Sequence, residues 1–291
     1  MPVKSALSSI AKNYSSALQI APLGLVILLF LVGPIIVITI FSFYRYTGFF
    51  MVPDFVTENY VEVFTSLNTW KTYLITLKMV AITLALTFTF GFILAYYLVF
   101  DIVQFRWKIF LFLLTIVPFW TSGVIRIVSW LPFLGREGLI NQAIIGIGLS
   151  DKPLDFLLYS DFAVIVSYVH MFTLFMAAPL FNVMAKIDRS LIEAARDNGA
   201  SGLQILFNIV IPLCKPGIAI GTIFVLTLVA GDFTVVRVLS GSLGGSVSVA
   251  MANQVKVLQY PFACASAIIL LIVLLLIVGG IMRVIDVRKQ L

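Results

Sequence analysis

Few residues in this chain have the type and spacing that chemistry requires. Gly199-Ala-Ser201-Gly202 matches the Gly-x-Ser-Gly pattern of a serine hydrolase, but it lies in a charged loop, and the only histidine, His170, precedes it in an apolar run. A serine nucleophile needs a base within hydrogen-bond reach. There is no HExxH for a zinc protease and no GxxxxGK[ST] loop for a nucleotide phosphate. Cys214 and Cys264 stand in apolar surroundings without CxxC or metal-ligand spacing. No catalytic residue, metal ligand or cofactor of the chain's own is expected. The segment with the most legible chemistry is Lys186-Ile-Asp-Arg-Ser-Leu-Ile-Glu-Ala-Ala-Arg-Asp-Asn-Gly199-Ala-Ser-Gly. Ser190 followed by Glu193 has capping-box spacing, with serine capping free amides and glutamate reaching back. Asn198-Gly199 reads as the stop, because glycine tolerates the left-handed conformation. The spacing predicts a short helix over 190–199. Leu191, Ala194 and Ala195 give it an apolar side. The small Ala194-Ala195 face allows close approach to another body, and Glu193 and Arg196 offer directional contacts.

The elements that must hold this helix follow from composition. The 291 residues are 61% hydrophobic and only 11% charged, too apolar to cover a water-soluble surface. Long uninterrupted apolar runs mean membrane-spanning helices, and their lack of alternation excludes a barrel. The fold class is therefore an all-α integral membrane protein. The formal charge of +6 is scattered among loops, which argues against nucleic acid and suits orientation signals. At about 20 residues per span, six spans are expected: 20–43, 73–99, 109–133, 161–184, 206–231 and 261–283. The first is too long for a cleaved signal. Lys4, Lys12, Arg106, Lys108, Lys186, Arg189, Arg196, Lys215, Arg283, Arg288 and Lys289 fall on the side of the two termini. Arg45, Lys71, Arg136, Lys152, Arg237 and Lys256 fall on the other. The excess places both termini in the cytoplasm. The organisation expected is a cytoplasmic segment over 1–19, a transmembrane domain over 20–284 containing helix 190–199, and a cytoplasmic tail over 285–291. Outside, segment 44–72 carries interfacial aromatics (Tyr46, Phe49, Phe50, Phe55, Trp70). Segment 138–147 is expected as a short amphipathic helix, and 240–246 as a flexible turn.

Ionisable groups within spans are expensive and often functional. Arg126 lies 17 residues beyond Ile109, about 26 Å along a straight helix, near the outer end of the third span. It either lines a pathway or snorkels, and Lys78 is read as snorkelling. Trp120 and Thr121 follow Pro118, whose kink would turn Trp120 to a lumen where an aromatic face holds an ammonium group; core packing is the alternative. Asp232 and Arg237 are placed at the pathway mouth. The carboxylate suits cationic amines and the guanidinium suits carboxylate-bearing solutes, unless the two are an ordinary loop pair. His170 is read as a hydrogen bond between helices. Gly217-x-x-x-Gly221 permits close helix contact, and Pro179, Pro212 and Pro216 supply kinks.

Glu193-Ala194-Ala195, three residues, Gly199, nine residues, then Ile209-Val210-Ile211-Pro212 resembles the EAA motif of binding-protein-dependent ABC importer permeases. Ile211 departs from it, since leucine is commoner before the proline. Ile116-Val-Pro-Phe-Trp-Thr121, Ile125-Arg126-Ile127 and Pro212-x-x-x-Pro216-Gly217 resemble spermidine/putrescine-type permeases. The resemblance covers most of the chain and is best from about Pro118 to Pro261. It implies the six-helix type I importer permease fold and a coupling helix at 190–199 seated in an ATP-binding subunit. Ser190, Glu193, Ala194, Ala195, Arg196, Gly199 and Pro212 would carry the coupling. It further implies a second, homologous permease, two ATPase subunits holding ATP and Mg, a periplasmic substrate-binding protein, and a bacterial inner membrane. Trp120, Thr121, Arg126, Asp232 and Arg237 remain the pathway candidates. A polyamine or related amine is the first solute expected, and an opine or other amino-carboxylate the alternative. The rivals are a passive channel and an intramembrane serine protease.

Overall fold

The computed structural model describes residues 19, 21–48, 50–102, 104–241 and 245–285. The expectations placed on segment 1–18, Phe49, residues 242–244 of the expected turn and the tail at 286–291 lie outside these residues. In chain order the elements are α1 (Ala21–Ser42), β1 (Arg45–Tyr46), β2 (Met51–Val52), α2 (Glu58–Thr65), α3 (Leu67–Asp101), α4 (Phe105–Ile116), α5 (Gly123–Leu134) and α6 (Leu139–Gly146). There follow α7 (Asp161–Met184), α8 (Arg189–Asp197), α9 (Gly202–Leu213), α10 (Lys215–Gly231), α11 (Thr234–Leu239), α12 (Val247–Lys256) and α13 (Tyr260–Val284). A 3-10 turn, Val117–Trp120, joins α4 to α5.

Four straight helices, α1, α3, α7 and α13, are long and apolar enough to cross a membrane. The other two expected spans are bent pairs. Phe105–Trp120 meets Gly123–Gly146 at 90°, and Gly202–Leu213 meets Lys215–Gly231 at 67°. Counting each pair as one span gives up to six crossings by length and composition. The bends have local causes. Pro118 sits in the 3-10 turn of the first pair, and Pro212 and Pro216 flank the second bend. Proline has no N–H for the helical ladder, and its ring crowds the carbonyl four residues back. Wider π turns at Leu28–Val32 and Leu206–Val210 also lie directly before Gly33-Pro34 and Ile211-Pro212, where the register must adjust to the missing donor. The straight-helix placement of Arg126 therefore fails, because Arg126 lies beyond a right-angled turn.

The chain divides into two compact units. The smaller, 1–65 with 254–269, departs from the purely helical expectation in one antiparallel hairpin, Arg45 opposite Val52 and Tyr46 opposite Met51. Buried Asn59 holds it together by donating to the Ser42 and Tyr44 carbonyls, both at 2.9 Å. The Tyr46 hydroxyl donates to the Val257 carbonyl at 3.2 Å.

The larger unit, 66–253 with 270–291, is built around α7. Tyr168, Met176, Leu180 and Met184 on α7 are fully buried. The close approach expected of Gly217 and Gly221 is made against this helix. A Cβ on Gly221 would meet the Met176 sulfur at 2.6 Å, and one on Gly217 would meet the Pro179 carbonyl at 2.9 Å. Gly91 of α3 meets Met176 from the other side, at 3.0 Å from its Cγ. Met176 is thus packed between two glycines on two helices. This close fit seats α3 and α10 on α7, where no hydrophobic drive separates helix from lipid. The 138–147 segment is helical as expected (α6), with Asn141 buried beneath it. Asn141 donates to the Gly135 carbonyl at 3.0 Å and accepts from the Leu154 amide at 2.7 Å. Lys78 forms an ion pair with Asp161 at 2.9 Å, bridging α3 and α7. Both groups are half exposed, so the pair adds little stability.

Candidate functional site

The helix predicted over 190–199 is α8, and its two ends are built differently. Its N-cap is Asp188, not Ser190. The Asp188 carboxylate accepts from the Ser190 amide at 3.0 Å, and that hydrogen bond holds the carboxyl below its ordinary range. An aspartate two residues earlier is as good a cap and carries charge toward the positive helix end, so the expected Ser190–Glu193 box does not form. The C-terminus follows the prediction. Gly199 has φ +81, its amide donates to the Arg196 carbonyl at 2.8 Å, and the Ala200 amide donates to the Ala195 carbonyl at 2.9 Å. This is the Schellman pattern, which needs a residue at ease in the left-handed region. The glycine of the motif is there for backbone reasons: a Cβ on it would meet nothing within 4 Å.

The capping box belongs instead to the next helix. The Ser201 hydroxyl accepts from the Gln204 amide at 3.3 Å, while the Ser201 amide donates to Gln204 Oε1 at 2.8 Å. Ser201, the one residue in a hydrolase-like pattern, is thus engaged in starting the next helix. Ser201→Ala is expected to destabilise the protein by about 1 kcal/mol, read as a lowered thermal midpoint.

The two faces of α8 also differ from expectation. Ile192 and Ala195, with Ile187 and Ala200, pack against the hydrophobic core of the larger unit. Leu191, Glu193, Ala194 and Arg196 are exposed. Ala194 and Ala195 therefore do not share a face; at 3.6 residues per turn, neighbours lie about 100° apart. The outward patch is Leu191 with Ala194, bordered by Glu193 and Arg196.

One anchor of α8 is invisible in the sequence. Arg189 Nη2 donates to the Val99 carbonyl at 3.0 Å, and Lys108 Nζ donates to the same oxygen at 3.1 Å. Val99 lies in the π turn Tyr97–Asp101 that ends α3, among the last carbonyls of a helix, which have no amide partner within it. Two cations from α4 and α8 satisfy that carbonyl at the negative end of α3. In the sequence Lys108 and Arg189 look only like orientation charges.

A cavity of about 630 Å³ opens between α4, α7 and α10. Phe112, Phe119, Phe175 and Phe224 line it, with Asn182 and Lys186 at one end. Phe119 meets Phe175 edge-on, with centroids 5.4 Å apart. The Arg126 guanidinium lies over the Phe119 ring at 4.8 Å, so Arg126 is joined to the cavity wall through that ring. The other pathway candidates are not drawn into the cavity. Trp120 is 81% exposed, and the exposed Thr121 hydroxyl donates to the Pro118 carbonyl at 2.7 Å. Asp232, which precedes the N-cap Phe233 of α11, accepts from the Val235 amide at 2.8 Å and from the Tyr168 hydroxyl at 3.2 Å. Burial pushes its carboxyl above the ordinary range, against the pull of these hydrogen bonds. Arg237 donates to Asn253 at 3.1 Å and pairs with Asp232 in none of the described ion pairs. His170 meets Trp130 edge-on, with centroids 5.7 Å apart, a ring contact in place of the expected hydrogen bond. The cavity phenylalanines escaped notice because an aromatic in an apolar span has the same local signature whether it packs or lines a space. Among the described residues no group of His, Cys, Asp and Glu could hold a metal ion.

Comparison with known proteins places this geometry. No family model matches the chain. The spermidine/putrescine transport system permease protein PotB of Escherichia coli K12 is 38% identical over 165 residues, which is 55% of this chain and 58% of that protein. The PotB of Haemophilus influenzae is 32% identical over 188 residues, 64% of this chain and 63% of that protein. A putative 2-aminoethylphosphonate transport system permease protein, PhnU, of Salmonella paratyphi A is 30% identical over 138 residues, 46% of this chain and 47% of the relative. The chain thus spans less than two thirds of the length of these relatives. A chain in the crystal structure of a bacterial ABC transporter involved in import of the acidic polysaccharide alginate has the same fold. Its TM-score is 0.76 at 20% identity, over 98% of this chain and 99% of that one. A chain in the crystal structure of a bacterial alginate ABC transporter in complex with an alginate pentasaccharide-bound periplasmic protein gives 0.76 at 19% identity, over 97% of both chains. The chain therefore shares the fold of that transporter's chain, and it is similar to polyamine-transport permeases, as the resemblance implied. It is a multi-pass membrane protein.

Proposed function

We propose that this chain is a non-catalytic permease subunit of an ATP-driven ABC importer, forming half of the translocation pathway for a small amine. The observation that carries the proposal is α8: a short helix capped at both ends, packed on the bundle by Ile192 and Ala195, tied to α3 through Arg189, and presenting Leu191, Glu193, Ala194 and Arg196 outward. Such a helix transmits force because it moves with the helices that hold it. The positive-inside excess puts it in the cytoplasm of a bacterium, with both termini and the inner membrane as the setting. Two ATP-binding subunits carrying ATP and Mg would seat it. A second permease would complete the pathway, and a periplasmic binding protein would deliver solute.

An amine is favoured because relatives whose names state a solute carry polyamines or an aminophosphonate. The phenylalanine-lined cavity also offers ring faces to an ammonium group. The second reading, an amino-carboxylate, draws on Arg126, a cation in α5 that lacks an acid partner among the described ion pairs. The test is reconstitution of the chain with its partner subunits in proteoliposomes. Labelled spermidine or putrescine should accumulate only with ATP inside and the binding protein outside. Uptake that ignores both would leave a passive channel as the function, and uptake of glutamate but not of polyamines would select the second reading.

A further inference from the structure

We propose that Arg126 and Trp130 form a docking site for a carboxylate that this chain does not supply. The proposal rests on the reading of the chain as one permease of a pair around a solute pathway. The two residues stand four apart on α5, hence as neighbours on one helix face. Nε and Nη1 of Arg126 and Nε1 of Trp130 are all buried, and among the described residues none has a hydrogen-bond partner. Buried donors almost always find acceptors, and a charged donor left without one is the costliest case. The surroundings hold the donors without satisfying them. Phe119 supports the guanidinium at 4.8 Å through its ring face, and His170 meets Trp130 edge-on, at 76° between ring planes. No described ion pair includes Arg126.

The missing group is defined by what the site lacks. All three orphans are donors, so the ligand must bring acceptor oxygens. The site carries one fixed cation, so a singly charged anion neutralises it and a dianion does not. A planar carboxylate meets both conditions and matches the guanidinium geometry. A protonated amine meets neither, being donor-only and of like charge. Phe119, the ring over the guanidinium, stands in the one-turn 3-10 segment at the 90° bend. An incoming group therefore reaches Arg126 by shifting that turn, with α5 itself left intact. The carboxylate has two possible sources: an Asp or Glu of the second permease, or the solute. The first is compatible with a polyamine as cargo, and the second makes the cargo an amino-carboxylate.

The experiment uses the purified importer complex with wild-type chain, Arg126→Gln and Trp130→Phe, the last removing a donor while keeping a large ring. If the solute is the source, glutamate or acetate, each of net charge −1, raises the thermal midpoint of the wild-type complex by several degrees, spermidine does not, and both variants lose the shift. If the second permease is the source, none of these probes shifts the wild type, and the variants retain it at least about fivefold less well on co-purification. Should Arg126→Gln fail to accumulate, Trp130→Phe alone decides. Wild-type stability towards carboxylates together with unimpaired retention of the second permease in Trp130→Phe overturns the proposal. Failure of the importer reading itself looks different, since no ATP-binding subunit would then co-purify with the wild-type chain.

Discussion

In the proposed importer, Glu193→Arg is expected to leave the complex assembled in the membrane while lowering ATP-driven uptake by about ten- to a hundredfold. Glu193 is exposed on α8 and makes none of the described ion pairs. The fold therefore loses nothing when its charge is reversed. A contact to a charged group is worth about 1.5–3 kcal/mol, and each 1.4 kcal/mol is a factor of ten. Reversal replaces attraction with repulsion at the seat of the helix. Uptake and ATP hydrolysis are measured together on the reconstituted complex; hydrolysis should persist without matching transport. Gly199→Val is the backbone counterpart. A branched residue at φ +81 is strained by about 1–2 kcal/mol but meets no neighbour, so the strain frays the end of α8 and spares the bundle. Normal transport by both variants would remove α8 from the coupling path.

Arg189→Ala should uncouple by a different route. The Val99 carbonyl keeps Lys108 as a donor at 3.1 Å, so no buried acceptor is orphaned and the stability loss stays at the low end for a charged donor, about 1.5 kcal/mol. What is lost is the hydrogen bond that ties the start of α8 to the end of α3. The expected result is a rise of about tenfold in ATP hydrolysed per solute imported, with α8 still crosslinking to the ATP-binding subunit. Arg189→Lys, which retains a cation near the carbonyl, should recover part of the coupling. A residue that merely stabilised the fold would lower hydrolysis and uptake in proportion and leave that ratio unchanged. The α8 prediction and this one are separable: Glu193 acts at the outer face, and Arg189 at the inner attachment.

Both predictions depend on which side of a nine-residue helix each group occupies, and that is where the legibility of the sequence ended. The existence of α8 could be read from its neighbours, because caps are local. Asn198-Gly199 stops a helix in any surroundings. The choice between Asp188 and Ser190 as the cap could not be read, since both have suitable oxygens and the backbone entering the loop decides. The inward face could not be read either. Leu191, Ile192, Ala194 and Ala195 are all apolar, so periodicity leaves the core-facing pair undetermined until α8 is docked.

The same division runs through the candidate pathway. Arg126 was conspicuous because a cation in an apolar run is costly wherever it lies. Its seat over Phe119 and the unmet donors beside Trp130 depend on a right-angled turn, of which Pro118 gives only a hint. Asp232 and Arg237, five residues apart and opposite in charge, take different partners: the Val235 amide and Tyr168 for the one, Asn253 for the other. Long apolar runs, proline positions and the glycine of the motif were set by the chain alone, because lipid, the missing proline N–H and left-handed φ each act on residues or short segments. The cavity, the Val99 anchor and the faces of α8 belong to the tertiary structure. They arise where helices distant in sequence meet, and side-chain type alone does not encode which surfaces come together.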